Sequence, residues 1–169
     1  MSTPMSPPAS QPAPGVTATP AATPTEVFHR LVATFSSGRW ADAAALYAPD
    51  AVAELPFALP APDRVEGRET LHQRFSALAA GNLDITVENI RVHTTADPEV
   101  IVAEFDYRGR AVATGRDFSV ANIQVLRIRD GLITATRDYH DHVALAVATG
   151  HLPALDDALG GLDLDRVRG

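Results

Sequence analysis

The sequence predicts an α+β fold, with helices first and an antiparallel meander of strands after them. Three observations predict it. Apolar residues recur at helical spacing before Gly81, as in Val27, Leu31 and Phe35. Beyond Gly81, four runs are rich in β-branched and aromatic residues: Ile85–His93, Val100–Arg108, Arg116–Arg129 and Leu132–His142. Between the last two stands Asp130-Gly131, the strongest hairpin signal in the chain, because a type I′ turn needs positive φ.

The elements follow in order. Residues 1–24 carry no charged side chain and seven prolines, which predicts a disordered or polyproline-like tail. Thr25 is placed to cap a first helix at Glu26, which Ser36-Ser37-Gly38 ends. A second helix is expected over Trp40–Tyr47, stopped by Pro49-Asp50, and then an extended piece over Ala51–Phe57. A loop with Pro60, Pro62 and Gly67 leads to a third helix, Arg68–Ala80, with Leu71, Phe75 and Leu78 on its buried stripe. Asp97-Pro98 marks the first turn of the meander. Residues 149–169 read as a weakly ordered tail, leaving 25–148 as one domain.

Composition narrows the function. A net charge of −7 argues against nucleic acid or an anionic membrane surface as partner. The absence of cysteine excludes disulfides, thiolate metal sites and a cysteine nucleophile. No apolar run has the length of a membrane span, and the N-terminus lacks the basic and apolar regions of a secretion signal. A cytoplasmic location is the resulting expectation.

The motifs are more specific. Gly38-Arg39-Trp40, Ala45–Val52 and Gly67-Arg68-Glu69 resemble the opening of a nuclear-transport-factor-2-like domain. Thr114-Gly115-Arg116, Arg129–Ile133 and Arg137–Asp141 extend the likeness to the SnoaL-like polyketide cyclase branch, and the last strand is also similar to limonene-epoxide hydrolase. The resemblance implies a cone: three N-terminal helices packed on a curved, mainly antiparallel sheet that encloses a pocket. It also implies a homodimer through the outer sheet face, a small apolar organic ligand and no cofactor. Fold alone does not fix the activity.

Within that resemblance, residues can be matched one by one. The base of ketosteroid isomerases falls on Leu55, before Pro56, and their phenolic donor falls on Leu31. Leucine neither takes a proton nor donates a hydrogen bond, so that chemistry is not expected. Of the epoxide-hydrolase machinery, one carboxylate falls on Asp138. The arginine and second aspartate fall on Phe105 and Tyr107, and the tyrosine and asparagine on Ala53 and Leu55. A one-residue gap would bring Asp106 into the aspartate position.

The resemblance leaves one acid in an apolar pocket. Desolvation there raises a carboxyl's pKa towards neutrality, which makes Asp138 the expected general acid or base. His140 shares its strand face, and Tyr107 offers a phenolic donor. Leu31, Leu55, Phe57, His72, Phe105 and Asn122 are the candidate ligand-lining positions, and Asn122 is also readable as a member of a buried polar network. Alternation alone would bury Ile133, Ala135 and Tyr139 and leave Asp138 in solvent; only the resemblance turns Asp138 inward. No metal is expected, because Asp138, His140 and His142 on one strand would span about 14 Å. Two readings stay open: an acid–base enzyme of cyclase, isomerase or hydratase/hydrolase type, and a non-catalytic binding or accessory protein of the same fold.

Overall fold

The computed structural model describes residues 21–80, 83–158 and 160. Most of the expected N-terminal tail, and residues 161–169 of the C-terminal one, lie outside the described residues. The fold opens with α1, Pro24–Ser36. Its N-cap is Thr23 rather than Thr25, because Pro24 occupies the first helical turn and Glu26 closes a capping box with Thr23. One face of α1, made of Val27, Phe28, Leu31, Val32 and Phe35, is buried.

The next segment, Trp40–Leu46, is a 3₁₀ helix. It is seven residues long, with no side-chain hydrogen bond at its N-cap. The chain then enters β1, Tyr47–Leu55, and β2, Asp63–Glu66, a strand that the Pro-rich loop concealed. Helix α2, Arg68–Ala80, buries Leu71 and Phe75 and leaves Leu78 exposed. Four long strands follow: β3, Leu83–Thr94; β4, Val100–Ala111; β5, Arg116–Arg129; and β6, Leu132–His140.

The six strands form one sheet in the order β2-β1-β6-β5-β4-β3. All pairings are antiparallel except β1 with β6, which is parallel. Asp130 and Gly131 both have positive φ, 52° and 77°, as a type I′ hairpin requires. Register shifts in the β3–β4 and β5–β6 pairings are bulges, which bend the strands that carry them.

The arrangement of helices corrects the expected three-helix N-terminus. Among the described residues, only α1 and α2 are α-helical before the meander, and two strands separate the 3₁₀ segment from α2. Two further helices follow the sheet: α3, His142–Thr149, at the end of the expected domain, and α4, Leu152–Ala158, within the stretch expected to be a weakly ordered tail. The last strand stops at His140 because Asp141 caps α3, its carboxylate accepting from the Ala144 amide at 2.9 Å; Gly150 ends the helix in the left-handed region. The far end of α3 is tied to the β4–β5 hairpin, where Thr114 Oγ1 donates to the Ala148 carbonyl at 2.6 Å.

The core lies between the helices and the inner face of the sheet. Phe28 meets Phe105, and Phe35 meets both Trp40 and Phe75. Strand β5 supplies an unbroken alternation of buried positions: Phe118, Val120, Asn122, Gln124, Leu126 and Ile128. Two of those six are amides, and they mark where the core becomes polar. Among the described residues, no helix is long and apolar enough to cross a membrane.

Candidate functional site

Strand pairing assembles the site. Asn122 stands directly opposite His140 and Gln124 directly opposite Asp138 in the β5–β6 ladder. On the other side of β5, Phe105 is opposite Asn122 and Ala103 opposite Gln124. Two neighbouring rows thus cross three strands, Phe105–Asn122–His140 and Ala103–Gln124–Asp138, all facing the helices.

The bulge in β6 sets this orientation. Arg127 pairs with Ala135 while Ile128 pairs with Ile133, so β6 holds one extra residue between the two pairs. The extra residue reverses the alternation, and Ile133 and Asp138 both point inward although they are five positions apart, an odd spacing. Asp106 lies on the opposite face, where Asn89 Nδ2 donates to its carboxylate at 2.6 Å. The inward acid is therefore Asp138.

Asp138 and His140 keep only 14% and 13% of their side-chain surface open. Burial pushes the Asp138 carboxyl up to about 6, against the lowering effect of the Gln124 Nε2 donor at 2.7 Å. Thr136 and the more distant Arg74 also act to lower it. The Thr136 hydroxyl is buried without a partner at proper bonding geometry, so its influence is that of a nearby dipole. Burial takes His140 the other way, down to about 4, helped by the charges of His142 and Arg74. Between those values both side chains are neutral. At pH 7, Asp138 is mainly a carboxylate and His140 remains neutral.

The aromatic wall continues from this pair. The Tyr107 ring stacks on His140 at 5.8 Å between centroids, and Phe105 meets Tyr107 edge-on at 5.2 Å. Burial, and then the charge of Asp138, hold the Tyr107 phenol far above its usual range; the same causes act on Tyr47. His142, the first residue of α3, stands edge-on to His140 at 5.8 Å, and its Nε2 is buried without a hydrogen-bond partner. The last β-rich run was expected to continue through His142; Asp141 caps a helix there instead, and His142 packs against His140.

Of the candidates from the sequence, Asp138, His140, Tyr107, Phe105 and Asn122 come together here. Leu31 and Leu55, 1% and 8% exposed, are packed into the interior. Two candidates lie elsewhere. Phe57 is 65% exposed and rests edge-on against Tyr139, whose neighbours Asp138 and His140 face inward, so it packs on the outer face of β6. His72 is on the exposed side of α2, because the buried stripe runs through Leu71 and Phe75. Gln124 and Thr136 were missed. The signal for Gln124 was present, since it is two residues from Asn122 on a strand whose other inward positions are apolar. Among the described residues, no cluster of three or more His, Asp or Glu could hold a metal ion.

Against known proteins, the profile of the SnoaL-like domain matches residues 28–136. The chain belongs to the SnoaL-like family. The matched span ends two residues before Asp138, so the acid and its histidine stand just past the part the family profile recognises. An uncharacterised PhzA/B-like protein of Pseudomonas aeruginosa is 34% identical over 137 residues, 79% of this chain and 86% of its own. Among solved structures, a Bacillus subtilis protein provisionally named an isomerase superposes with a TM-score of 0.71 at 25% identity, covering 75% of this chain and 92% of that one. The epoxide hydrolase/cyclase-like enzyme SalBIII, with a role in pyran ring formation in the polyether salinomycin, gives a TM-score of 0.60 at 13% identity, over 71% of this chain and 92% of its own. These likenesses establish the nuclear-transport-factor-2-like fold with its curved mixed sheet, and leave the activity to the site.

Proposed function

We propose that this SnoaL-like protein is a cofactor-free acid–base enzyme acting on a small, largely apolar metabolite. The reaction is of cyclase, isomerase or hydratase/hydrolase type. Asp138 moves the proton, with His140 as its partner and Tyr107 as part of the wall against which the substrate rests. The observation that carries this reading is the place of the Asp138 carboxyl: buried on the inner face, bonded to Gln124 and, among the described residues, to no cation, so that burial pushes it up to about 6. An acid in that range changes protonation state readily near neutral pH, as proton transfer to and from a carbon or oxygen centre requires. Leu31 and Leu55 supply no donor or base of the ketosteroid-isomerase kind, so the proton traffic rests on the β5–β6 pair.

The test is mass spectrometry of a small-molecule extract incubated with the wild type and with Asp138→Asn. A compound converted by the wild type and left intact by the variant supports the enzyme, and the mass change identifies the reaction class. A compound retained unaltered by both favours a second reading, a binding or accessory protein, for which the packed leucines at two family catalytic positions speak. The same reading carries a homodimer through the outer sheet face, where Ile123 is 45% exposed and Phe57 adds a second apolar side chain. Sedimentation of the wild type at twice the monomer mass, and of Ile123→Arg at the monomer mass, is the expected result.

A further inference from the structure

Asn122 reaches the acid–histidine pair through His140, and both ends of its amide have partners. Its Nδ2 donates to the Val120 carbonyl at 2.8 Å and lies 3.5 Å from the Phe105 carbonyl. Its Oδ1 lies 2.6 Å from His140 Nδ1. Flipping the amide would set Oδ1 against those two carbonyl oxygens, acceptor against acceptor, in a position that is almost fully buried. The backbone of β4 and β5 therefore determines which end of the amide the histidine meets. A carbonyl oxygen only accepts, so the imidazole nitrogen facing it must carry hydrogen. The other nitrogen, Nε2, then presents a lone pair, and it faces Asp138 Oδ2 at 4.0 Å.

We infer that Asn122 is a positioning residue that holds neutral His140 as its Nδ1–H tautomer, so that Nε2 and the Asp138 carboxylate face each other as two acceptors. At 4.0 Å they are too far apart to share a proton directly. The gap is filled by a group that donates, an O–H belonging to water or to the substrate. Resting on the acid–base reading above, this narrows the substrate step to one in which a hydroxyl is bound between His140 and Asp138 and passes its proton to Asp138 Oδ2, leaving the carboxyl neutral and the electron pair on the hydroxyl oxygen for its new bond. Gln124 serves Asp138 in a parallel way, donating to Oδ1 and leaving Oδ2 turned to the gap.

The tautomer can be read without any substrate, which separates this inference from the fate of the enzyme reading. Long-range proton–nitrogen correlation spectra of the full-length protein, with imidazole nitrogens labelled, distinguish protonated from lone-pair nitrogen; the His140 signals are assigned by their loss in His140→Asn. At pH 7 the wild type is expected to show Nδ1 protonated and Nε2 bare. In Asn122→Leu the preference should collapse to a mixture or reverse. A wild type with hydrogen on Nε2 would overturn the inference without reference to any variant. So would an unchanged tautomer in a folded Asn122→Leu protein.

Discussion

Replacing Asp138 by asparagine removes a proton-binding group and keeps an acceptor for Gln124, so its effect on stability isolates the carboxyl. The fold raises that carboxyl from its ordinary 3.8 to about 6. Below 3.8 it is protonated in the folded and unfolded chains alike, and ionisation changes nothing. As pH rises, the unfolded chain ionises first and gains stability that the folded chain gains only above 6; the fold therefore weakens across that window. Asparagine has no such window. The advantage of Asp138→Asn over the wild type, worked from the two values, is about 1 kcal/mol at pH 4.5 and about 3 kcal/mol at pH 7.5. The 14% of the side chain that reaches water makes these upper values. Urea unfolding at several pH values, with equal slopes for the two proteins, measures the difference directly. Other titrating groups are common to both chains and cancel. A difference that stays flat between pH 4.5 and 7.5, or falls, would refute the claim that burial dominates at Asp138.

The opposite window belongs to His140, held down at about 4 against an ordinary 6.5: its neutral form stabilises the fold above 6.5, and that stability is lost as pH falls through 4. In the same assay His140→Asn should lose about 3 kcal/mol less than the wild type between pH 7 and pH 4. Thr23→Ala removes both hydrogen bonds of the Thr23 side chain, to the Glu26 amide and carboxylate, and should lower stability by about 1 kcal/mol, with the same loss expected in thermal unfolding. Gly109→Ala should be far worse, because a Cβ there would sit 2.0 Å from the Asp84 carbonyl oxygen on β3. A loss of about 3 kcal/mol or more, or failure to accumulate as folded protein, is the expected result.

The sequence was most readable where one local rule acts alone. Asp130-Gly131 forms its hairpin because both residues adopt positive φ, a requirement of the turn itself. The stripe on α1 is legible because five buried side chains share one face of a capped helix. Legibility failed where a non-local partner decides. Strand β2 is held by β1, and nothing within Asp63–Glu66 announces it. The inward turn of Asp138 is the sharpest case. Strict alternation from Ile133 places Asp138 outside, and the bulge between Ile133 and Ala135 reverses that parity. A bulge is a property of two strands in register, so a single strand's sequence does not display it. Phe57 went wrong for the same reason: Pro56 turns the chain after β1, and the ring rests on Tyr139 on the outer face.

The two opposite pKa shifts also bear on whether the polar row is structural. An ion pair would show the reverse pattern, with the aspartate held low and the histidine held high, each favouring the other's charge. Here the carboxyl is raised and the imidazole lowered, so the fold favours neither charge, and the two partners lie 4.0 Å apart. Each group weakens the fold in part of the pH range, and a hydrophobic pair in the same two places would not. The surroundings agree with this: Gln124 and Asn122 fix the two side chains, while the Thr136 hydroxyl and His142 Nε2 are buried beside them without partners. Polar groups left unsatisfied at one spot, in a core otherwise closed by Phe105, Val120 and Leu126, are destabilising unless something binds there. A bound water would donate to both acceptors of the Asp138–His140 gap, and a substrate hydroxyl to one of them. This energetic deficit favours an occupied site at the β5–β6 row over a merely structural network.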